Sequence, residues 1–414
     1  MTAAGCIPHT DAMETLETGL ERPLILHVSG DFPDPFEPFK TRVIETLLAL
    51  TDIPVRHRVI SINRVSPGRT AAFRQLFRPG DLTVQTQGLE RGLALTYEAP
   101  SLGLRHRTRL LQLGDWLTEA IRAMPERPDL IVGHKLTIEG IAVRRAAEAL
   151  RTPYALALQG GTDQKIMAFR PDLHEEFRRV LHGAEVIFPF APWTWDYVVD
   201  ALGVPPGKSI SLPCPTDLDQ PIAPRQGGDG LLSVFHLKSY KRKNLAGLAR
   251  SAQALEDRGI SVPICVVGGG EGEDLAACEA LTKDRSSMTL AGAMNREQLR
   301  DRMLTASGFV LPSLRESFGL VFIEALFAGL PIIYPQGTAV DGYFDNAPFA
   351  LGVNARDPAA LADAMCQLME NEATMKTTLA DWQTSNAAKR FQRGSIASEF
   401  AQGLTLASGF RGAR

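Results

Sequence analysis

The sequence predicts two α/β domains, each built on a doubly wound parallel sheet. Short apolar runs alternate with helical patterns from residue 23 onward, and this alternation is typical of βαβ units. A stretch rich in proline, glycine and aspartate at 213–230 interrupts the alternation, which then starts again. A chain of 414 residues is long enough to bury two separate cores.

In the first half, each apolar run is short and bounded by turn residues, which is the pattern of a buried strand. The predicted strands are "PLILHV", "HRVISI", "LALTYE", "DLIVG", "YALAL", "AEVIFPF" and "SISLP". Helices are predicted from about Glu37 to Leu50, at 104–124 and at 137–150.

The second half repeats the pattern with "LLSVFHL", "VPICVVGGG", "MTLAG", "GFVLP" and "LPIIYP" as strands. Helices are predicted from Asn244 to Arg258, from about Glu273, at 295–305 and over "FGLVFIEALFAG", which Gly329 ends. Further helices follow at 372–407. We therefore expect an N-terminal extension at 1–22, a first domain at 23–213, a linker at 214–230, a second domain at 231–388 and a terminal helix at 389–414.

Composition narrows the function classes. The formal net charge of −3 gives no general attraction to nucleic acid. Five cysteines lack metal-ligand spacing and are typical of a reduced, cytosolic protein. The sequence contains no apolar run long enough to span a bilayer, and the first residues do not have the pattern of a secretory signal. We expect a cytoplasmic protein.

The segment "RESFGLVFIEALFAGLPIIY" places Glu316 and Glu324 eight positions apart. Glu316 falls in the loop before the predicted helix and Glu324 falls inside the helix. The helix begins near Gly319 and Leu320, where free N–H groups favour an anion such as a phosphate. Two carboxylates beside an anion site suit the hydroxyls of a sugar-bearing ligand. Alternatively, one carboxylate complements the helix dipole and the other forms a salt bridge.

Three further stretches of the second domain bear on this site. The loop "FHLKSYKRKNLAG" holds Lys238, Lys241, Arg242 and Lys243, either as a phosphate clamp or as a solvated basic turn. In "VVGGGEGEDL", Gly268 begins a glycine run that fails the dinucleotide fingerprint, because Glu273 stands at the third glycine position. The glycines more simply let a ligand or another backbone come close. The segment "LAGAMN", which contains Met294, would place backbone groups at the sheet edge, where they could bind a flat nucleotide base.

The first domain offers weaker candidates. Gly30 follows the first strand, His134 ends "PDLIVGH", and Gln159 follows "YALAL". A histidine at the carboxyl end of a strand is as well explained by a ligand site as by packing. The cluster Arg105, Arg107 and Arg109 opposes the dipole at a helix start, which predicts a later helix start, an anionic partner such as lipid headgroups, or a solvated face.

These motifs resemble those of the retaining GT-B glycosyltransferases, specifically family 4 with its E-x7-E motif. "RESFGLVFIEALFAGLPII" is similar to the family's "EgfGl..lEAma.G.Pvi" pattern, with Glu316 and Glu324 as the two glutamates. Lys238 and Lys243 match the family's basic pair, with a lysine in the arginine position. "PDLIVGH" and "ISLPCPTDLD" resemble two further family segments. The resemblance implies a GT-B fold, in which two Rossmann-like doubly wound domains face each other across a cleft.

The resemblance also implies roles for individual residues. Glu316 would bind hydroxyls of the donor sugar, Glu324 would bind the ribose, and Lys238 and Lys243 would stabilise the departing diphosphate. Backbone N–H groups of Phe318, Gly319 and Leu320 would contact sugar and phosphate. The other residues assigned to the site are His134, Gly30, Gly268 and Met294. The family usually has a histidine in the loop "LQGGTD", where this chain has Gln159.

We therefore expect a metal-independent enzyme without a cofactor. It would move a sugar, with retention, from a nucleotide-diphosphate-sugar donor to a glycan or lipid-linked acceptor in bacterial polysaccharide or glycolipid biosynthesis. Peripheral contact with the inner face of the membrane fits a lipid-linked acceptor, and the terminal helix would cross back to the first domain. Two alternatives stay open: a catalytically silent GT-B module that binds a sugar nucleotide or glycan, and a sugar-nucleotide epimerase.

Overall fold

The computed structural model describes residues 22–50, 55–66, 80–100 and 105–409. The expected N-terminal extension therefore lies outside the described residues, except for Arg22. By their contacts, the described residues form two units. The first comprises the residues up to Phe190, Thr194–Leu212 and the residues from Ile396 onward, and the second comprises Ala191–Trp193 and Pro213–Ser395.

The first unit contains one sheet. Its strands are β1 (Leu24–Ser29), β2 (Arg56–Val65), β3 (Val84–Leu89), β4 (Gly92–Glu98), β5 (Leu130–Gly133), β6 (Tyr154–Leu158), β7 (Val186–Pro189) and β8 (Lys208–Ser209). The spatial order is β3-β4-β2-β1-β5-β6-β7-β8, and every pairing is parallel except the β3–β4 hairpin. The helices are α1 (Val43–Ala49), α2 (His106–Arg122), α3 (Glu139–Leu150), α4 (Gly161–Phe169), α5 (His174–His182) and α6 (Pro192–Leu202).

The second unit contains a wholly parallel sheet. Its strands are β9 (Leu231–Val234), β10 (Ile264–Val267), β11 (Met288–Gly292), β12 (Gly308–Val310), β13 (Ile332–Pro335) and β14 (Ala350–Val353). Their order is β11-β10-β9-β12-β13-β14. The helices are α7 (Leu245–Glu256), α8 (Gly272–Thr282), α9 (Arg296–Thr305), α10 (Leu320–Phe327), α11 (Pro358–Glu370), α12 (Glu372–Thr384) and α13 (Asn386–Lys389). The terminal helix α14 (Arg393–Ser408) starts in this unit, and its residues from Ile396 onward belong to the first unit.

Two local predictions for the first unit were wrong. Helix α1 begins at Val43 rather than near Glu37, because the Asp34 carboxylate accepts the N–H groups of Phe36 and Glu37 and holds a turn there. Strand β3 was missed because "VQTQGL" is polar and largely exposed, so it carries no apolar strand signal.

The expected linker packs within the second unit. The buried Lys376 side chain donates from Nζ to the Arg225 carbonyl at 2.6 Å, and the Gly228 N–H donates to the Glu372 carboxylate at 2.9 Å. The Ile222 N–H also donates to the carbonyl of Phe327. These bonds satisfy the backbone of a stretch that has no regular structure.

Aromatic rings of α14 pack against the sheet of the first unit. The Phe400 ring lies 5.3 Å from that of Phe188 in an edge-to-face arrangement and 6.3 Å from the His27 ring. Gly403 lies one helical turn further along, where an added Cβ atom would come within 2.3 Å of the Phe188 ring. The absence of a side chain at this position therefore lets α14 approach the strand closely.

We expect Gly403→Ala to destabilise the protein although alanine is the better helix former. The clash with Phe188 should cost about 1–3 kcal/mol, which exceeds the gain of up to about 1 kcal/mol in helix propensity. Urea denaturation measures the free energy of unfolding. Gly394→Ala is the matched control in the same helix, since no atom lies within 4 Å of its Cβ position. That variant should be neutral or stabilised, and equal effects at both positions would contradict this explanation.

Candidate active site

The candidate site lies at the point where the strand order of the second sheet reverses. The chain runs from β9 outward to β11 on one side and from β12 outward to β14 on the other. Ligands of doubly wound folds bind at the carboxyl ends of the strands at such a point. The loops after β9 and β12 are joined there by a backbone bond of 2.9 Å from Leu314 N–H to the Arg242 carbonyl.

Lys243 and Glu316 form an ion pair between these two loops. The Lys243 ammonium donates to Glu316 Oε2, and only 13% and 12% of the two side chains are exposed. Arg242 Nη1 lies 3.7 Å from Glu316 Oε1. The basic loop and the first glutamate therefore lie in contact, with Arg242 as an additional cation.

Helix α10 begins at Leu320, shortly after Glu316, as predicted. Gly319 precedes its first residue with φ of 77°, a left-handed conformation that glycine adopts without strain. Phe318 is buried and packs edge-to-face on Tyr343 at 6.1 Å. The helix ends in a Schellman motif, in which Leu330 N–H donates to the Ala325 carbonyl and Gly329 N–H to the Leu326 carbonyl.

Glu324 lies on α10, one turn and a half after Gly319, and is half-buried. Burial and the nearby negative charge of Asp217 raise the pKa of its carboxyl group, although the Asp217 backbone N–H bonds to the carboxylate and Arg296 lies close. Glu324 takes part in no ion pair within the described ranges. The protein supplies this carboxylate with a hydrogen-bond donor but not with a countercharge in contact.

Asp217 is itself anchored within the second unit. Its carboxylate pairs with Arg296 and, at 3.1 Å, with Arg393. Arg393 also donates from Nε to the Thr216 carbonyl at 2.8 Å, and its backbone N–H donates to the Asp219 carboxylate at 2.6 Å. These contacts fix the segment whose N–H group faces Glu324.

The remaining candidates of the second unit lie around this centre. Lys238 is exposed in a short 3₁₀ turn, where its backbone N–H donates to His236 Nδ1. At Gly268, an added Cβ atom would lie 1.7 Å from the Phe235 carbonyl oxygen, so the glycine admits a neighbouring backbone. Met294 is half-buried and precedes Asn295, the N-cap of α9.

In the first unit, Gly30 lies at the corresponding reversal point between β1 and β5. The Gly30 N–H donates to Glu139 Oε1 at 2.6 Å, and Lys135 pairs with Asp31 at 2.7 Å. Glu139 is fully buried, and burial raises the pKa of its carboxyl group to about 7, with Lys135 lowering it. This crevice is occupied by the protein's own charged groups.

His134 lies inside the first unit, with 1% of its surface exposed. Its Nε2 is 3.1 Å from His27 Nδ1, and His27 Nε2 is 2.9 Å from His57 Nδ1. Among the described groups, neither His134 Nδ1 nor His57 Nε2 has a partner. Gln159 follows β6, and its buried Nε2 also lacks a described partner. His134 is thus part of a histidine chain rather than an exposed strand-end group.

Several of these residues were missed at the sequence level. His27 and His57 lie in strands that are otherwise largely apolar, and a polar residue there indicates a polar contact. The sequence does not show that these two histidines contact each other. Thr338, whose hydroxyl binds the backbone of Glu316, gives no signal because 22 residues separate the two.

Two of the arginines considered for an anionic partner bind protein groups: Arg107 pairs with Glu176, and the buried Arg109 donates to the Gly80 carbonyl.

Residues 223–389 match the family described as Glycosyl transferases group 1. The matched residues lie within the second unit. A teichuronic acid biosynthesis glycosyltransferase of Bacillus subtilis, TuaC, is 25% identical over 288 residues, which cover 67% of this chain and 71% of TuaC. A D-inositol 3-phosphate glycosyltransferase of Streptomyces avermitilis is 30% identical over 184 residues, which cover 41% of this chain and 39% of that protein.

A sucrose-phosphate synthase from Thermosynechococcus elongatus has the same fold over both units. Its TM-score is 0.63 at 19% identity, and the match covers 92% of this chain and 98% of that one. The predicted fold class, two α/β units of the GT-B type, is confirmed. The prediction of a glycosyltransferase is supported at the level of the group 1 domain. In the described parts of the chain, no helix combines the length and apolar character needed to cross a membrane.

We expect the histidine chain to make the first unit acid-sensitive. Burial lowers the pKa of His27, and the charges of His57 and His134 lower it further. Burial and the charge of Arg91 lower the pKa of His57 to about 4. Burial lowers the pKa of His134 to about 3. Above pH 6.5 both folded and unfolded forms are neutral. Below pH 6.5 the three histidines bind protons in the unfolded chain but stay neutral in the folded chain. The free energy of unfolding therefore falls. At pH 5.5 His57 and His134 together should lower the free energy of unfolding by about 3 kcal/mol, and His27 adds to this loss.

Urea denaturation at pH 7 and 5.5 measures this loss, with the first unit followed by amide exchange. His27→Gln removes one of the three groups and should flatten the pH dependence by about a third. His236→Gln, at an exposed position in the second unit, is the control and should keep the wild-type slope. A wild-type stability that stays constant between the two pH values would refute the prediction.

Proposed function

We propose that the protein is a retaining glycosyltransferase of family 4. It transfers a sugar from a nucleotide-diphosphate sugar to a glycan or lipid-linked acceptor in bacterial polysaccharide or glycolipid biosynthesis. The observation that carries the proposal is the Lys243–Glu316 pair at the reversal point of the second sheet, directly before the start of α10. The group 1 match over 223–389 supports it.

The donor would be bound by groups that lie around this pair. The Glu316 carboxylate accepts hydrogen bonds from sugar hydroxyls, and the first N–H groups of α10, after Phe318 and Gly319, face the phosphates. Glu324 accepts the ribose hydroxyls. Its half-buried carboxylate has a hydrogen bond but no contacting cation among the described residues, so two hydroxyl donors would complete its coordination.

Positive charge in the loop after β9 would stabilise the leaving diphosphate. Lys243 and Arg242 already lie beside Glu316, and the exposed Lys238 is free to turn toward a phosphate because no described group binds its side chain. These cations can supply the stabilisation that a metal ion supplies in other phosphate sites. We therefore propose a reaction that proceeds without a metal ion or a cofactor.

In the proposed reaction, the bond from the anomeric carbon to the phosphate oxygen breaks as the acceptor oxygen bonds to the same face of that carbon. The acceptor's proton passes to the departing phosphate oxygen, so the protein need not supply a nucleophile. Lys243 and Arg242 act most strongly when the phosphate charge has developed, and interactions that are strongest in the transition state raise the rate.

The acceptor is proposed by analogy with a relative. TuaC is named for teichuronic acid biosynthesis, which fits a polysaccharide or lipid-linked acceptor, and the proposal then includes contact with the inner face of the membrane. We assign the acceptor to the first unit. Gly30 and His134 are held by Glu139 and His27, so their proposed role is to shape this unit rather than to touch the reacting atoms.

Nucleotide binding is the first test of this proposal. UDP, GDP and ADP and their common sugars are screened by thermal shift, since a ligand at 100 times its dissociation constant stabilises by about 2.7 kcal/mol. One nucleotide series should stabilise the wild type, and Glu324→Gln and Lys243→Ala should lose at least half of the shift. The exposed residues Glu370 and Lys283 provide the controls Glu370→Gln and Lys283→Ala, which should respond as the wild type does.

Turnover then separates the alternatives. A transferase releases free nucleotide only when an acceptor or water receives the sugar, an epimerase changes the donor sugar without acceptor, and a silent module binds without turnover. NMR of the product should show the donor's anomeric configuration, and activity should persist in EDTA. An inverted product would refute retention, and equal shifts in wild type and all variants would refute the site.

A further inference from the structure

Lys243 holds the carboxylate of Glu316, but a different residue holds its backbone. Thr338 lies in the loop after β13, with only 7% of its surface exposed. Its hydroxyl oxygen accepts the Glu316 N–H at 2.9 Å, and its hydroxyl proton is donated to the Glu316 carbonyl oxygen. One hydroxyl thus satisfies both backbone groups of a residue that lies between a strand and a helix.

The loop that carries Thr338 is itself fixed by several contacts. The Gly337 N–H donates to the Asp341 carboxylate at 2.7 Å, and the Asp341 N–H donates to the Thr338 carbonyl at 3.2 Å. Ala339 has φ of 60°, a conformation that a residue with a side chain rarely adopts. Its carbonyl accepts a bond of 2.9 Å from the indole N–H of Trp193, which belongs to the second unit.

Strained backbone persists only where the surroundings determine it fully, and such positions cluster at functional sites. Here the strained residue follows the one side chain that binds both backbone groups of Glu316. The contacts of Asp341 and Trp193 therefore serve to place the Thr338 hydroxyl. Through that hydroxyl they place Glu316 and the residues up to Gly319, where α10 begins.

We propose that Thr338 is a positioning residue for the donor sugar. It fixes the peptide groups on either side of Glu316, so that the carboxylate and the first N–H groups of α10 keep one geometry. This inference rests on the proposed function, because it assigns the sugar to Glu316. Misplacement of a binding group by about 1 Å can lower a rate about 100-fold, which sets the scale of the expected effect.

The test compares Thr338→Val with Thr338→Ser. Valine has nearly the same shape but leaves the Glu316 N–H and carbonyl without partners, whereas serine keeps the hydroxyl. Thr282→Val is the matched control: Thr282 is a buried threonine of the same unit, and its hydroxyl donates to the Cys278 carbonyl in α8 at 3.1 Å. All four proteins are first compared by amide hydrogen exchange without ligand.

Exchange over residues 313–320 should become at least about 10-fold faster in Thr338→Val and stay at the wild-type rate in Thr338→Ser and Thr282→Val. In steady-state kinetics with the donor sugar found for the wild type, kcat/KM should fall about 10- to 100-fold in Thr338→Val. The affinity for the free nucleotide should fall less than kcat/KM does, because the free nucleotide has no sugar for Glu316 to bind, and Glu324 is held by Asp217 and not by Thr338.

Each failure has a distinct meaning. Unchanged exchange over 313–320 in Thr338→Val shows that the hydroxyl does not fix the loop and overturns the inference whatever the activity. Faster exchange with full activity, or an equal loss of activity in Thr282→Val, overturns the role in donor positioning. A wild type that neither binds nor turns over any nucleotide sugar overturns the proposed function and this role with it, while the exchange rates still decide whether Thr338 holds the loop.

Discussion

The ion pair between Lys243 and Glu316 is the interaction on which the candidate site depends. It joins the loops that follow β9 and β12, the two strands between which the sheet order reverses. Both side chains are nearly buried, so each charge needs the other, and removal of one partner would leave an uncompensated charge. The cations needed for a phosphate and the carboxylate needed for a sugar are thereby held within one ion-pair distance.

Neutral groups from distant segments hold the two glutamates of the motif, a backbone N–H for one and a side-chain hydroxyl for the other. The Asp217 N–H bonds to the carboxylate of Glu324, and the Thr338 hydroxyl binds the backbone of Glu316. Both helpers lie in loops that are fixed by further contacts, Arg393 for the first and Trp193 for the second. Glu324 is held by a neutral dipole and keeps its charge available for a ligand, whereas Glu316 shares its carboxylate between Lys243 and the proposed sugar.

The reversal point of the first unit is built differently. Glu139 takes the Gly30 N–H, and Lys135 pairs with Asp31, so the groups that could meet an anion are already bound within the protein. The neighbouring histidines are buried in a continuous hydrogen-bonded chain. Burial disfavours their charged forms, and these three histidines therefore stay neutral at physiological pH.

The sequence by itself determined the two α/β units, most strands and the placement of Glu316 and Glu324 around the start of α10. Those features depend on local periodicity, glycine and proline positions and a fixed spacing, all of which are written in consecutive residues. Only the tertiary structure decided that Arg242 joins Lys243, that Thr338 and Asp217 hold the glutamates, and that His134 is buried against His27. These contacts join residues of separate strands and loops that are far apart in the sequence. Local sequence patterns therefore do not predict which of these side chains meet in the folded protein.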